Sequence, residues 1–117
     1  MRFEDLDVWK RSARLSVDVY KYFAKNTDFG FKDQITRSSL SIPSNIAEGY
    51  ERSTSKDKIR FLYYSKGSSA ELRTQIYIGI EIGYIDTDIG NAWIKETTEI
   101  SRMLQGLIVA YKSKREG

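Results

Sequence analysis

The sequence contains no cysteine and no histidine. Without cysteine no disulfide can form, and no thiolate is available to bind a metal ion or to attack a substrate. Without histidine the chain cannot build the Glu-x-x-His pairs that hold di-iron centres in helical bundles. We therefore expect no metal site and no cofactor, and the lack of disulfides is compatible with a reducing compartment.

Long apolar runs are also absent. The longest uncharged run, residues 38–47, has about half the length that a membrane span needs and is rich in serine. The N-terminal sequence MRFEDLD carries acidic residues where a signal peptide would be apolar. These features predict no membrane span and no export, so the expected location is the cytoplasm.

Motifs that mark common enzymes are missing as well. The chain has no Gly-x-Ser-x-Gly elbow and no phosphate-binding loop. Its net charge of +3 and its isoelectric point near 9.1 are mildly basic, which permits a nucleic-acid partner without requiring one. These observations favour a protein that is not an enzyme.

Apolar residues recur with helical spacing along most of the 117 residues, which are enough for a single domain, 1–117. Four segments show this period, at about 5–26, 31–48, 55–83 and 87–113. The scarcity of proline and other turn residues argues against a sandwich of short strands. Because short links join the segments, the sequence predicts an all-α fold, an antiparallel up-down-up-down four-helix bundle.

The second helical segment contains the unusual stretch SSLSIPSNIAEG at 38–49. Pro43 lacks the N–H that would bond to the Ser39 carbonyl, and its ring crowds that turn, so we expect a kink or a break near Pro43. Serine hydroxyls could bind the freed backbone group, and Gly49 is placed to end the helix. Asn45 and Glu48 are expected to fasten this end to helix three or to a neighbouring subunit.

Two helices carry more apolar residues than a monomeric bundle needs. The predicted core stripe of helix one consists of Leu6, Trp9, Ala13, Val17, Tyr20 and Ala24. Second stripes on helices one and three lie well away from the predicted core, so we expect them to contact another subunit, although scattered apolar residues are common on any surface. The oligomer-interface candidates are Val8, Leu15, Val19, Tyr22, Tyr64, Ile78 and Ile82.

Basic and aromatic residues are interleaved between residues 51 and 73. Nucleic-acid bases can stack on Phe61, Tyr63 and Tyr64 while Lys and Arg hold the phosphates. A mixed solvated surface with aromatic residues in the core explains this pattern about equally well. The nucleic-acid-binding candidates are Arg52, Lys56, Lys58, Arg60 and Lys66.

A polar group near helix two gives an alternative function. Asn45, Glu48 and Glu71 could line a small-molecule or enzymatic pocket, although such a line is more often a satisfied polar seam. Ser69 belongs to SKGSSAE at 65–71, a mid-helix segment whose small residues favour close helix contact over a phosphate cradle.

Several blocks together resemble one known family. They are FEDLDVWK at 3–10, SIPSNIAEG at 41–49, RS at 52–53, KD at 56–57, FL at 61–62, GSSAEL at 67–72, TQ at 74–75 and GYI at 83–85. In this order they resemble the four-helix-bundle family encoded in the intervening sequences of bacterial 23S rRNA genes. The matching blocks contain the residues for which we expect structural roles: Pro43, Asn45, Glu48, Gly49, Ser69 and Glu71.

The resemblance implies an antiparallel four-helix bundle that assembles as a ring, typically a homopentamer. Related proteins of diversity-generating retroelements are accessory factors that bind a reverse transcriptase and nucleic acid through basic surfaces. The resemblance therefore implies a non-enzymatic scaffold or accessory protein, whose expected partners are further copies of itself, RNA or DNA, and a protein such as a reverse transcriptase. It implies no catalytic residues.

Overall fold

The computed structural model describes the backbone of residues 1–116 and the side chains of residues 1–114. Its four helices are α1 (Asp7–Phe23), α2 (Phe29–Tyr50), α3 (Ser55–Glu81) and α4 (Thr87–Glu116), and a short 3-10 helix, Phe3–Asp5, precedes α1. The described part of the chain contains no strand. The predicted all-α, four-helix fold is confirmed.

Pairs of contacts show that successive helices run antiparallel. Lys66 and Arg73 of α3 donate hydrogen bonds to Gln105 and Thr98 of α4, and Ser101 of α4 donates to Ser69, so that positions rise along one helix as they fall along the other. On the opposite flank of α3, the contacts with α2 follow the same rule. The resulting bundle measures 49 × 22 × 19 Å. Within the described residues, no helix has the length and apolar character required to cross a membrane.

Local capping explains where the helices begin and end. Asp28 caps α2 by accepting a hydrogen bond from the Phe31 N–H at 3.1 Å, and Thr54 caps α3 by accepting one from the Asp57 N–H at 3.1 Å. Gly83, just beyond α3, has a φ of 79°, a conformation that glycine adopts without steric cost. Gly83 therefore lies beyond the end of α3, where the sequence predicts the helix to stop.

Helix α2 continues through Pro43 and ends only after Tyr50. The expected break is therefore wrong, while a kink stays a prediction. The serine hydroxyls near the proline bind other groups: Ser38 and Ser39 donate to the carbonyls of Gln34 and Thr36. The prediction that Gly49 ends the helix is also wrong, because Gly49 is a buried helical residue at the contact with α3.

The predicted faces of α1 are largely wrong, although Leu6 and Trp9 of the predicted core stripe do pack against the core. Val8, Leu15 and Val19 are at most 3% exposed and lie in the core of their own chain, so the prediction that they contact another subunit is wrong. Val17 and Tyr20, from the predicted core stripe, are instead 41% and 42% exposed. The physical reason is that Ser12 and Ser16 lie on the Val8–Val19 face, where small side chains allow close approach to the other helices.

Helix α3 follows its predicted phase. Ile59, Leu62, Leu72 and Ile76 are buried in the core. The second-stripe residues Tyr64, Ile78 and Ile82 are about half exposed. Tyr22 of α1 is partly exposed, but it already packs its ring against Trp93 at 5.2 Å and accepts a hydrogen bond from the Asp86 N–H.

A substitution at Gly49 can test the close contact between α2 and α3. A Cβ atom at this position would lie 2.9 Å from the Phe61 Cβ and 3.3 Å from the Lys58 carbonyl oxygen. We expect Gly49→Ala to lower the free energy of unfolding by about 1–3 kcal/mol, because the two helices would have to separate. Gly67→Ala is the matched control, since a Cβ there meets no atom within 4 Å. Thermal unfolding followed by circular dichroism should show unchanged or raised stability for Gly67→Ala, and equal effects would contradict the close contact.

A hydrogen bond between Tyr84 and Asp28 joins the α3–α4 connection to the α1–α2 connection at one end of the bundle. The Tyr84 hydroxyl donates to the Asp28 carboxylate at 2.8 Å, and this bond, followed by that from the Phe31 N–H, lowers the pKa of Asp28 from its ordinary value of 3.8. Because the folded pKa lies below the unfolded one, this stabilisation is present above the unfolded pKa and is lost as the pH falls through the folded pKa.

We therefore expect Tyr84→Phe to be less stable than the wild type at neutral pH and to lose less stability on acidification. Melting temperatures between pH 7 and pH 2.5 measure this difference. Tyr77→Phe is the control, because Tyr77 is exposed and has no hydrogen bond to an acid among the described side chains. A parallel pH dependence of the wild type and Tyr84→Phe would contradict the proposed contact.

Candidate functional site

Small polar side chains line the contacts that α3 makes with its neighbours. Ser65 donates to the Ile42 carbonyl at 2.8 Å, and Ser69 donates to the Thr97 carbonyl at 3.1 Å. Both serines are fully buried, and each hydroxyl has a partner on the adjacent helix. This agrees with the prediction that the segment containing Ser69 allows close helix contact, since a mid-helix segment with satisfied hydroxyls has no cradle for a phosphate.

The three residues of the alternative pocket take part in separate contacts. The Asn45 amide donates to the carbonyl and hydroxyl of Ser41, both at 2.9 Å, within α2 itself. Glu48 pairs with Arg52 at 2.6 Å, and Glu71 accepts from Ser38 at 2.7 Å. No hydrogen bond between described side chains joins Asn45, Glu48 and Glu71 to one another.

The direct bonds between α2 and α3 come from neighbouring residues. Ser38 bonds to Glu71, and the hydroxyls of Ser41 and Ser68 lie 2.9 Å apart. The expectation that Asn45 and Glu48 fasten α2 directly to α3 is therefore wrong within one chain. Asn45 acts through Ser41, because both of its amide bonds end on that residue.

Basic residues surround the Phe61 ring and form a cluster on the surface of the bundle. The guanidinium carbons of Arg52 and Arg60 lie 4.6 and 5.1 Å from the centre of the Phe61 ring. Each guanidinium also pairs with an acid, Arg52 with Glu48 at 2.6 Å and Arg60 with Asp57 at 3.3 Å. The side chains of these pairs are 40–54% exposed, so solvent screens them and each contributes little to stability.

Two of the predicted nucleic-acid contacts bind protein groups instead. The Lys58 ammonium donates to the Tyr50 carbonyl at 2.6 Å and lies over the Tyr50 and Tyr111 rings at 5.3 and 5.9 Å. Tyr50 is the last residue of α2, so Lys58 supplies a cation and a donor to the helix C-terminus. Lys66 donates to Gln105 at 2.8 Å and bridges α3 to α4.

The same end of the bundle receives two lysines from α4 that sequence reasoning missed. Lys112 donates to the Tyr63 hydroxyl at 2.9 Å, and the Lys114 ammonium lies 5.6 Å from the centre of the Tyr111 ring. The antiparallel packing of α3 and α4 brings the C-terminal part of α4 beside the beginning of α3. The signal in the sequence was the run KSKR at 112–115, read together with an antiparallel last helix.

At this end of the bundle, Tyr111 is a residue whose pKa is shifted by its surroundings. Burial, followed by the nearby Tyr50, raises the pKa of the Tyr111 hydroxyl from its ordinary value of 10.0. The Tyr111 ring lies beside the ammonium groups of Lys58 and Lys114. Among the described residues, no three Asp or Glu side chains are grouped so that they could hold a metal ion. The arrangement places positive charge beside aromatic faces at this end of the bundle.

The architecture defines an antiparallel four-helix bundle with hydroxyl-lined helix contacts and a basic, aromatic end. The chain belongs to the family described as 23S rRNA-intervening sequence protein, whose family model matches residues 4–106. A protein of unknown function from the S23 ribosomal protein family of Bacteroides thetaiotaomicron VPI-5482 has a similar crystal structure. Its TM-score is 0.81 at 26% sequence identity, and the match covers 86% of this chain and 97% of that one. No curated protein matches the sequence.

The stabilities of variants at Lys58 and Lys56 can show whether Lys58 has a structural role that Lys56 lacks. We expect Lys58→Met to lower the free energy of unfolding by about 1 kcal/mol, because the Tyr50 carbonyl at the end of α2 loses a charged donor. Lys56→Met is the matched control, since Lys56 is exposed and makes no hydrogen bond to a described residue. Chemical denaturation measures both values, and equal stability of the two variants would show that the Lys58 contact has no structural role.

Proposed function

We propose that this protein is a non-enzymatic, self-assembling helical scaffold that binds the sugar-phosphate backbone of RNA or DNA. The contact surface, which we name the basic end, consists of Arg52, Lys56, Arg60, Lys112 and Lys114. The observation that carries the proposal is the placement of the Arg52 and Arg60 guanidinium groups over the single ring of Phe61. The Phe61 ring is thus a common support for two guanidinium groups.

The ion pairs at the basic end do not prevent phosphate binding. Among the described side chains, Arg52 and Arg60 pair only with Glu48 and Asp57, respectively, and such solvent-exposed pairs are worth about 0.5 kcal/mol or less. A phosphate group accepts two hydrogen bonds from one guanidinium and can replace the carboxylate. Arginine is therefore available to an anionic ligand at small cost.

Exposed aromatic rings next to these cations favour a single-stranded segment. Tyr63 and Tyr64 are 43% and 50% exposed, and Tyr64 packs edge-on against Phe61 with 5.4 Å between the ring centres. Unpaired bases stack on such rings without regard to their sequence, whereas a duplex keeps its bases inside. We expect binding that depends on strandedness and salt more than on base sequence.

Self-assembly would support this function because every copy in the oligomer contributes another basic end. With a net charge of only +3, one copy makes few phosphate contacts, and its affinity for a nonspecific strand is expected to be about micromolar or weaker. A ring of identical copies, typically five according to the family resemblance, would present several basic ends to one strand. Linked contacts of this kind raise the overall affinity without any new chemistry.

Binding to labelled single-stranded RNA tests the proposal. We expect Arg52→Gln with Arg60→Gln to weaken binding about tenfold or more, because two cations are removed, and to reduce the salt dependence of the dissociation constant. Fluorescence anisotropy at several salt concentrations measures both quantities, with single-stranded DNA and duplex RNA for comparison.

Lys25→Gln with Lys95→Gln is the matched control, since it removes the same charge from exposed positions in the connection after α1 and on α4. The control and the test variant should both retain the oligomer size of the wild type in light scattering. If both variants bound RNA equally weakly, the loss of binding would come from net charge alone. That result would contradict a defined basic end. Wild-type binding that does not change with salt would contradict the nucleic-acid proposal itself.

A further inference from the structure

Each of the two arginines on the Phe61 ring has a carboxylate beside it. The Arg52 guanidinium donates to the Glu48 carboxylate at 2.6 Å. The Arg60 guanidinium lies 3.3 Å from the Asp57 carboxylate. All four side chains are 40–54% exposed, so both groups of each pair are open to a ligand. We name these two contacts, Arg52–Glu48 and Arg60–Asp57, the Arg–acid pairs.

Each arginine holds its acid through a single nitrogen. The contact atom is Nη2 in both Arg52 and Arg60. In the part of the chain that the structure describes, neither guanidinium makes a further hydrogen bond. A guanidinium carries several other N–H donors in a planar fork, which matches the oxygens of a phosphate. A phosphate group can therefore bind to either arginine while the acid stays in place.

Each carboxylate also has one oxygen without a partner among the described groups. Glu48 uses Oε1 and Asp57 uses Oδ1 for its arginine, whereas Oε2 and Oδ2 accept no hydrogen bond from a described residue. An ionised carboxylate accepts hydrogen bonds and donates none, so its next partner must be a donor. Each Arg–acid pair thus places donors for a phosphate next to an acceptor for a hydroxyl group.

Ribose offers this combination of groups, and deoxyribose does not. The 2′-hydroxyl of RNA is a hydrogen-bond donor and stands next to the 3′-phosphate of the same nucleotide. When the phosphate binds the guanidinium, the 2′-hydroxyl can donate to the neighbouring carboxylate. In DNA the same carboxylate would face the phosphate with no donor between them, and the two negative charges would repel each other.

We propose that the Arg–acid pairs select RNA over DNA, with the arginines holding phosphates and the Glu48 and Asp57 carboxylates accepting hydrogen bonds from ribose 2′-hydroxyls. This inference rests on the proposed function, which includes both RNA and DNA, and it names the residues that distinguish them. The two acids reduce the positive charge at the basic end and so lower its affinity for any phosphate backbone. Because a donor offsets this loss only in RNA, the acids raise specificity.

The lysines of the basic end that come from α4 lack such an acid. Lys112 donates to the Tyr63 hydroxyl at 2.9 Å, and the Lys114 ammonium lies 5.6 Å from the centre of the Tyr111 ring. Neither ammonium forms an ion pair with a described side chain. We therefore expect these lysines to attract RNA and DNA equally, so that the discrimination depends on the Arg–acid pairs.

Matched strands test the wild-type protein. We expect single-stranded RNA to bind about fivefold or more tightly than DNA of the same base sequence, because two charged acceptors find donors only in RNA. RNA with 2′-fluoro groups is the decisive probe, since it keeps the sugar conformation of RNA and has no 2′ donor. Its dissociation constant, measured by fluorescence anisotropy at one salt concentration, should equal that of DNA.

Removal of both acceptors tests the assigned residues. We expect Glu48→Met with Asp57→Ala to bind RNA and DNA with nearly equal dissociation constants. The variant should also bind DNA more tightly than the wild type does, because a repulsive charge next to each arginine is gone. The ratio of the two dissociation constants is the critical readout, since a general increase in positive charge would leave it unchanged.

Glu81→Met with Asp18→Ala is the matched control, because it makes the same two exchanges at exposed positions outside the basic end. It should retain the wild-type preference for RNA. Circular dichroism should show that both double variants are folded. The comparison of RNA with 2′-fluoro RNA uses the wild type alone and therefore tests the inference even if the variant at Glu48 and Asp57 is unstable.

The outcomes separate this inference from the proposed function. Equal affinities of the wild type for RNA, 2′-fluoro RNA and DNA overturn the inference and leave backbone binding intact. A preference for RNA that persists in Glu48→Met with Asp57→Ala also overturns it, because other groups would then recognise the ribose. If none of the strands binds in a salt-dependent way, the proposed function fails and the inference fails with it.

Discussion

The close approach of α3 to both of its neighbours is the contact on which the bundle depends. Ser65 and Ser69 lie on successive turns of α3 and donate to carbonyls of α2 and α4, respectively. A larger side chain at either position would hold the helix backbones apart, and an apolar one would leave no donor for the neighbouring carbonyl. Because α3 touches two helices through these hydroxyls, it acts as the central element that fixes the positions of α2 and α4.

Hydroxyl-mediated packing also explains why the sequence predicted most helices correctly but missed the main core face of α1. Isoleucine and leucine at helical spacing identified the buried faces of α3, where one stripe is clearly more apolar than the other. On α1 both stripes contain large apolar residues, and the true core stripe is interrupted by Ser12 and Ser16, which lowers its apparent hydrophobicity. The deciding factor was the tertiary contact of Ser16 with Ser39, which no period within α1 can reveal.

The sequence predicted which residue types form the candidate site, but it could not predict how those residues are arranged. Interleaved arginines and aromatic rings marked the beginning of α3, but the sequence could not show that Lys58 serves the end of α2 while Arg60, two residues later, remains at the surface. The contribution of Lys112 depended on the relative lengths of α3 and α4, which a shift of a few residues in either helix end would change. Local patterns identify chemical types, whereas the choice between a structural and a surface cation follows from packing across helices.

Phe61 connects the interior of the bundle to its exterior. Its Cβ faces the space left by the missing side chain of Gly49, while its ring supports the guanidinium groups of Arg52 and Arg60. The position of the aromatic platform is therefore set by the same backbone approach that closes the contact of α2 with α3. A substitution that relaxes this helix contact therefore also displaces the support for the surface charges. The stability of the bundle and the arrangement of its surface cations are thus coupled through one backbone contact.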